Sequence, residues 1–356
     1  MLRYKEIKLM LLQKISRMSP LDKLPSRLVL CKELDTTRST LDKAIKELES
    51  EGILFCRDGS GTYVAAPAGY DRKRPENWGI IVPDVNESIY AELVRGVEDV
   101  AQQMNANLIL CNFDHDPLKQ EQYIRRLILT DVTGVIIVPV IRKDSNEARQ
   151  LYSILTDTEK PIVFCNMQVE GVQAPVVMSN GFFGGYLATR HLIDRGYRHI
   201  AYLAKYRYRT SEERCQGYLT ALLENGLEIN RHLIVLDDEN SDPPGYYGML
   251  KLLKSGAPLD AVFCFNDYLI EGVYRALEEN QLRISDDVGV IGYDNTGICK
   301  RLKPEAASVS YPSAAIGQAA ARLLKKIISG EPISEFPYYL FQPAIVARDS
   351  CRGPVL

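Results

Sequence analysis

The sequence predicts an α/β protein in two parts: an N-terminal winged helix-turn-helix, and a two-lobed domain built from doubly wound parallel sheets. Two observations predict this division. A helix, a tight turn, a second helix and a Gly-rich hairpin follow one another between residues 24 and 64. Beyond residue 77, short continuous apolar runs alternate with amphipathic helical stretches. The chain has 356 residues, 46% of them hydrophobic, which is enough for two or three domains with substantial cores.

The helices of the N-terminal part can be placed from their apolar spacing. Leu28, Leu30 and Leu34 predict an apolar side on the first helix, and a short polar pair then interrupts it. Thr37 is expected to cap the second helix, because its hydroxyl can accept a free backbone N–H of the first turn. The apolar residues of that helix fall on one face at helical spacing: Leu41, Ala44, Ile45 and Leu48.

The opposite face of the second helix is polar and partly basic, with Arg38, Ser39, Asp42, Lys43 and Lys46. Such side chains at the N-terminal end of a helix suit the major groove of DNA, where they reach base edges and phosphates. Strands at 53–56 and 62–64 then flank a Gly-rich tip, whose glycines allow positive backbone angles. A tip of this kind suits a minor groove or a phosphate, so the pattern favours double-stranded DNA as a partner.

This segment resembles the DNA-binding domain of the GntR family of bacterial regulators. The matching stretches are 24–26, 37–40, 48–52 and 59–64, in the family's order and spacing. The resemblance implies that DNA is contacted by Arg27, Thr37, Arg38, Ser39, Thr40 and Gly59. Family members usually have Ser-Glu-Arg after the Leu-Pro pair, whereas this chain has Ser26-Arg27-Leu28. Arg27 therefore stands one position early.

Charge is divided unevenly along the chain. Residues 1–74 carry 15 Lys and Arg against 10 Asp and Glu, a net charge of +5, and the remainder carries 28 against 36, a net charge of −8. A basic head on an acidic body suits a DNA-binding module joined to a small-molecule module, because only the head must neutralise phosphates. We expect a cytoplasmic protein without membrane contact, since no stretch resembles a signal peptide or a membrane span.

The sequence indicates neither a metal site nor a cofactor. The eight cysteines form no Cys-x-x-Cys pair and mostly lie in apolar runs, and the four histidines have no partners at ligand spacing. We therefore expect buried, reduced thiols. The stretch from Asp58 to Thr62 lacks the Gly-Lys-Ser/Thr ending of a phosphate-binding loop and precedes a strand, so a nucleotide site there is disfavoured.

A linker rich in Pro, Gly and charge is predicted at residues 67–76, between a DNA-binding domain at 1–66 and an effector domain at 77–350. Apolar runs then predict strands at 78–82, 108–111, 135–138, 162–165, 199–203, 261–265 and 288–291. Continuous runs are typical of strands covered on both faces, and the helices between them indicate right-handed crossovers in parallel sheets. Ligands of such sheets bind beyond the carboxyl ends of the strands.

Polar and aromatic side chains follow several of these runs. Tyr90 comes after the first run, and Arg214 lies near the start of a helix. Asn266 and Asp294 stand just beyond the last two runs. Planar donors and acceptors suit vicinal hydroxyls, and an aromatic face suits the C–H surface of a sugar. Each residue also has a structural alternative: a core tyrosine, an arginine paired with a neighbouring glutamate, an asparagine that holds a bend, or an aspartate that caps a turn.

From about residue 77 to about 349 the chain resembles the effector-binding core of the LacI family and of periplasmic sugar-binding proteins. The segments that carry the likeness are 184–192, 196–202, 214–218, 265–267 and 286–294. The resemblance implies that Tyr90 stacks on a sugar ring and that Arg214, Asn266 and Asp294 hold its hydroxyls. The family often has an acidic residue after the Pro of the third strand, whereas here Pro139 is followed by Val-Ile-Arg.

Together the two resemblances imply a transcription regulator, not an enzyme, with an architecture known among bacterial repressors of sugar use, including arabinose repressors. They imply a homodimer that binds a near-palindromic DNA operator and is released by a monosaccharide or its phosphate. Two alternatives stay open. The ligand could strengthen DNA binding as a co-repressor, or the same two lobes could belong to a sugar-binding protein or an enzyme.

Overall fold

The computed structural model describes residues 3–57, 59–65, 75–141, 147–155, 158–169, 171–204, 209–236, 242–334 and 338–353. The chain divides into two compact units, Met1–Arg74 and Pro75–Leu356. We call them the head and the large domain. Most of the predicted linker, together with Asp58 of the hairpin tip and Arg142 after the third strand, lies outside the described residues. The domain bounds of the sequence analysis stay a prediction.

From residue 24 on, the head has the predicted order of elements, and one further helix precedes them. Three helices and two strands follow one another: α1 Arg3–Ile15, α2 Arg27–Glu33, α3 Arg38–Ser50, β1 Leu54–Arg57 and β2 Gly61–Val64. The strands pair in antiparallel register, with Arg57 opposite Gly61. The winged helix-turn-helix is therefore confirmed.

One apolar cluster holds the head together. The four apolar residues predicted for α3 are all buried, together with Ile7 and Leu11 of α1. Thr37 caps α3 as predicted, and its Oγ1 accepts the backbone N–H of Thr40 at 3.4 Å. The apolar side predicted for α2 is wrong at Leu28, which is 71% exposed while Leu30 is fully buried. Two residues that stand two positions apart on a helix do not share a face, and a helix of seven residues buries only one narrow side.

The large domain contains two six-stranded sheets. Its strands are β3 Glu76–Val82, β4 Ala106–Asn112, β5 Gly134–Ile137, β6 Ile162–Cys165, β7 Val176–Ser179, β8 Ile200–Ala204, β9 Ile234–Leu236, β10 Ala261–Cys264, β11 Gly289–Asp294, β12 Ala307–Ser310, β13 Tyr338–Phe341 and β14 Ala344–Val346. The first lobe has the order β13-β7-β6-β5-β3-β4 and the second the order β14-β12-β11-β10-β8-β9. All pairs are parallel except β12 with β14.

Helices cover both sheets, as expected of doubly wound lobes. They are α4 Ser88–Gln103, α5 Pro117–Leu129, α6 Glu147–Leu155, α7 Gly181–Asp194, α8 Arg209–Glu224, α9 Tyr246–Lys254, α10 Ile270–Glu279, α11 Ile298–Arg301 and α12 Ser313–Ile328. The chain crosses between the lobes three times, because β7 and β8, β12 and β13, and β13 and β14 lie in different sheets. The two-lobed α/β prediction is confirmed.

The strand β4 departs from the expectation that every apolar run is covered on both faces. Among the strands that the structure describes, it is the last of its sheet and pairs with β3 alone. Its residues Ile109 and Leu110 are consequently exposed. All eight cysteines are free, and five of them are buried, whereas Cys56 is exposed. Among the described residues, no helix combines the length and the apolar character that a membrane span requires.

Candidate ligand cavity and DNA-binding surface

The large domain encloses a cavity of about 380 Å³ at the carboxyl ends of its strands. Residues from both lobes line it. The four side chains predicted from the sequence all stand in its wall: Tyr90, Arg214, Asn266 and Asp294. The structure therefore brings together residues that lie more than 200 positions apart. Their roles toward a ligand stay predictions.

Arg214 is the most constrained of these side chains. Its Nη1 donates to the Phe265 carbonyl oxygen at 2.5 Å, and its Nη2 lies 3.4 Å from Asp294 Oδ1. The guanidinium also stacks 3.5 Å from the centroid of the Tyr293 ring. Its buried Nε has no hydrogen-bond partner among the described residues. A buried donor without a partner is unfavourable, so a ligand oxygen that reached this nitrogen would remove that cost.

A close crossing of α7 and α8 places Arg214. A Cβ atom on Gly185 would lie 2.1 Å from the Arg214 carbonyl oxygen, and one on Gly217 would lie 2.0 Å from the Phe182 carbonyl oxygen. Only glycine fits at either position without moving backbone. Close helix packing is therefore the role of Gly185.

Asp294 lies at the end of β11 in a strained turn. Its φ is +99° and that of Asn295 is +52°, a region that residues other than glycine rarely adopt. The fully buried Asp267 holds this turn, because its carboxylate accepts the Thr296 backbone N–H at 2.6 Å and the Ser308 hydroxyl at 2.7 Å. Ser308 Oγ in turn accepts the Asn295 backbone N–H at 3.0 Å.

Burial changes the acid strength of two carboxyl groups in the cavity wall. It raises the pKa of Asp294 to about 7, although the neighbouring Arg214 acts in the opposite direction. Burial also raises the pKa of Glu213, which Arg209 opposes through an ion pair of 3.3 Å. The charge of the cavity wall thus depends on pH near neutrality.

Asn266 presents a second unsatisfied polar atom. Its Oδ1 is buried and has no hydrogen-bond partner among the described residues. The residue precedes a short 3₁₀ helix at Asp267–Leu269, and its side chain does not cap that helix. The Asn266 side chain therefore makes no helix-capping hydrogen bond, and its alternative role at the strand-to-helix bend stays a prediction.

Tyr90 stands on α4 in the first lobe, beside other aromatic and polar groups. Its ring meets the His115 ring edge to face at 6.4 Å, and His115 Nε2 lies 2.7 Å from Glu87 Oε1. Across the wall, Tyr311 donates a hydrogen bond to Asn166. The cavity thus combines aromatic rings with hydrogen-bonding groups.

Sequence reasoning missed several lining residues. Ser179, Tyr293 and Tyr311 stand at the ends of β7, β11 and β12 or just beyond them. The signal that could have found them was the strand-end rule itself, but serine residues shorten or interrupt the apolar runs of β7 (Val-Val-Met-Ser) and β12 (Ala-Ser-Val-Ser). His115 and Glu213 carried no such signal.

The predicted DNA-binding residues lie at the start of α3 and at the tip of the hairpin. Thr37, Arg38 and Ser39 are exposed, and the Arg38 side chain is 81% exposed. Thr40 is half-buried, with its hydroxyl 2.9 Å from Thr37 Oγ1. Gly59 has a φ of +72° and open space around it.

Arg27 differs from the other predicted DNA contacts. Its side chain is only 27% exposed, and its Nε donates to Asp42 Oδ1 at 2.8 Å. The structure thus places this guanidinium inside the head's own hydrogen-bond network.

Known proteins resemble the chain in both units. Residues 3–64 match the gntR family of bacterial regulatory proteins, and residues 189–351 match the periplasmic binding protein-like domain. The chain is 32% identical over 278 residues to the repressor PurR of Mannheimia succiniciproducens, which covers 77% of this chain and 80% of the relative. It is 24% identical over 340 residues to the arabinose metabolism transcriptional repressor of Geobacillus stearothermophilus, which covers 94% and 93%.

Two solved structures resemble the computed one. A cellobiose complex of the transcriptional regulator CelR has a TM-score of 0.69 and 27% identity, and the match covers 88% of this chain and 90% of that one. A ribose-bound LacI family regulator from Enterococcus faecium has a TM-score of 0.66 and 28% identity, and covers 79% and 100%.

The chain joins a winged helix-turn-helix to a two-lobed domain with a polar cavity. This architecture places it in the class of DNA-binding transcription regulators. Within that class, the chain belongs to the LacI-type regulators whose effector domain is periplasmic-binding-protein-like, and its head is of the gntR type. Its relatives are transcription regulators and not enzymes, so the enzyme alternative of the sequence analysis is set aside.

Proposed function

We propose that the chain represses carbohydrate-utilisation genes and leaves its DNA operator when a monosaccharide occupies the cavity. One observation carries this proposal. Two predicted ligand residues that line one cavity, Arg214 and Asn266, each carry a buried polar atom, Nε and Oδ1 respectively, with no hydrogen-bond partner among the described residues. One is a donor and the other an acceptor, and a sugar hydroxyl can serve both.

The remaining lining groups suit the same ligand. Asp294 can accept two hydroxyl hydrogen bonds, and Tyr90 offers a ring for the C–H face of a sugar. Relatives whose names refer to arabinose and ribose support a sugar over other polar ligands.

The head reads the operator in this proposal. Arg38 and its neighbours Thr37, Ser39 and Thr40 contact base edges and phosphates from the N-terminal end of α3. Gly59 at the wing has no side chain, which lets its backbone approach the DNA closely. A repressor of chromosomal genes acts in the cytoplasm.

A second copy of the chain completes the regulator. The strand β4 has no pairing partner at one edge within the described part of the chain, and it exposes Ile109 and Leu110. Exposed apolar edge strands promote pairing with another chain. We place part of the homodimer contact here, which gives two heads for the two halves of a near-palindromic operator.

The effect of the sugar follows from linkage. If the sugar favours a lobe arrangement in which the dimer misplaces its heads, operator affinity falls, and operator DNA weakens sugar binding by the same factor. A co-repressor would instead strengthen operator binding. A titration of operator DNA with and without the sugar distinguishes the two cases.

A thermal-shift panel tests the ligand half of the proposal. The full chain is melted with pentoses, hexoses, deoxyhexoses and their phosphates, because a ligand that binds only the folded form raises the melting temperature. We expect one member of the panel to raise it, and an Asn266→Ala variant to lose that response while its own melting temperature stays near that of the wild type. If no member of the panel raises the melting temperature, the sugar proposal fails.

A further inference from the structure

We propose that Arg27 is a positioning residue of the DNA-binding surface: its guanidinium ties the recognition helix α3 to the wing, and it does not itself contact DNA. The inference rests on the proposed function only in assigning DNA to the head. It replaces the phosphate contact that the resemblance implies for Arg27.

The guanidinium contacts three elements at once. Arg27 is the first residue of α2, and its Nε donates to Asp42 Oδ1 of α3 at 2.8 Å. Its Nη1 donates to Thr62 Oγ1 of β2 at 2.8 Å. Its Nη2 lies 3.8 Å from Cys56 Sγ of β1. The planar fork of arginine can make bonds in these fixed directions at the same time, whereas lysine offers a single point charge.

These contacts leave little of Arg27 for DNA. Its side chain is 27% exposed, against 81% for Arg38 on the neighbouring helix. To bind a phosphate, Arg27 would have to release the carboxylate of Asp42. That carboxylate stands on the polar face of α3 and lies 3.8 Å from Arg38 Nε, so its release would leave Arg38, a predicted DNA contact, as its remaining cationic partner.

The wing consists of the two short strands β1 and β2 and is already held on one side by backbone. Leu21 N–H donates to the Val64 carbonyl oxygen at 2.9 Å, and Leu24 N–H donates to the Thr62 carbonyl oxygen at 2.8 Å. The Arg27 guanidinium adds a side-chain link from this wing to α3. Leu54 and Val64 anchor the base of the wing in the core of the head. Thr62, which is 3% exposed, provides a polar anchor next to Val64. The Arg27 contacts therefore fix the angle between the wing and α3, which decides whether both can contact one duplex.

Two substitutions in the full chain separate positioning from DNA contact. Arg27→Lys keeps the positive charge and loses the fork, whereas Thr62→Val removes a buried hydroxyl that DNA cannot reach. We expect each to weaken binding of a duplex selected from a random pool by about tenfold, the effect of losing a hydrogen bond to a charged group. The slope of log affinity against log salt should stay unchanged, because no phosphate contact is lost.

Ser50→Ala, which removes an exposed hydroxyl at the far end of α3, is the matched control and should bind as the wild type does. Thermal melting of each variant shows that the head remains folded. The proposal is overturned if either Arg27→Lys or Thr62→Val keeps wild-type affinity, or if Arg27→Gln lowers the salt slope by about 0.9, the value of one phosphate contact. If the wild-type chain itself selects no duplex, the proposed DNA function has failed instead, and this result is distinct from the others.

Discussion

Arg214 and Asp294 form a buried ion pair in the cavity wall, with Nη2 3.4 Å from Oδ1 and each side chain only 8% exposed. The geometry is loose for a pair whose purpose is stability, since the Nε of the same guanidinium has no hydrogen-bond partner among the described residues. A bound polyol would add hydrogen bonds to both side chains. The pair thus connects the stability of the second lobe with its ligand chemistry.

Removal of the guanidinium should therefore affect stability and ligand binding together. We expect Arg214→Met to lower the free energy of unfolding by about 3 kcal/mol, because Asp294 is left buried without its partner. The double variant Arg214→Met/Asp294→Asn should regain most of that stability and still bind no sugar. Urea denaturation and calorimetry measure the two quantities. Sugar binding that survives in the double variant would show that the pair has no role in ligand recognition.

The carboxyl of Asp294 should make stability depend on pH. Its pKa is about 7 in the folded chain and 3.8 as the ordinary value, so the folded chain binds one proton more between these two values. The stabilisation from that proton is fully present below about pH 4 and is lost as the pH rises to about 7, by at most about 1.4 kcal/mol per pH unit. Denaturant unfolding from pH 4 to 8 should show a shallower decline for Asp294→Asn. Equal slopes for variant and wild type would contradict the raised pKa.

Arg38 should contribute to operator recognition without contributing to stability. Its side chain is 81% exposed, so Arg38→Ala should leave the melting temperature unchanged. Loss of a base contact should cost about 1 to 3 kcal/mol of operator affinity and reduce discrimination against random DNA. Fluorescence anisotropy with both duplexes measures this, with Arg125→Ala on the large domain as the charge control. Unchanged operator affinity would remove Arg38 from the set of reading residues.

The helix crossing beneath Arg214 should tolerate no added methyl group. We expect Gly185→Ala to destabilise the chain by about 1 to 3 kcal/mol, because the new Cβ would overlap the Arg214 carbonyl. It should also weaken sugar binding through the displacement of Arg214. Gly297→Ala, where only the end of the Arg301 side chain lies within 4 Å, is the matched control. Equal melting temperatures for the two variants would argue against close packing at this crossing.

The edge strand β4 should be required for dimer formation. Leu110 is 45% exposed there, and Leu110→Glu would place a charge in the proposed contact between two copies. We expect sedimentation to show a dimer for the wild type, a monomer for Leu110→Glu, and a dimer for the control Leu223→Glu on α8. A dimer that persists in Leu110→Glu would move the interface elsewhere.

Periodic patterns predicted the architecture well, because each local signal agreed with the final packing. The structure contains the predicted buried face of α3 and the predicted cap at Thr37, and each of the seven apolar runs forms a strand. The burial of Leu28 and the burial of β4 on both faces were predicted wrongly, because burial there depends on which neighbouring elements exist. A short helix buries one side only, and an edge strand has one partner.

The predicted cavity residues lie close together because parallel strands end at a common edge of each sheet. Their detailed contacts could not be predicted. The pairing of Arg214 with Asp294 joins residues 80 positions apart, and the left-handed backbone at Asp294 depends on a hydrogen-bond network from Asp267 and Ser308. Arg27 likewise was predicted from its place in a motif, while its contacts with Asp42 and Thr62 depend on the tertiary fold.

Operator affinity measured with and without sugar is the most direct test of the proposed release of DNA by the bound sugar. The full chain is titrated into a duplex that it has itself selected, in the presence and absence of the sugar that raises its melting temperature. We predict that binding weakens steeply with salt and that saturating sugar raises the dissociation constant by about tenfold or more, a typical allosteric coupling. A dissociation constant that stays the same or falls when sugar is added would contradict release by sugar.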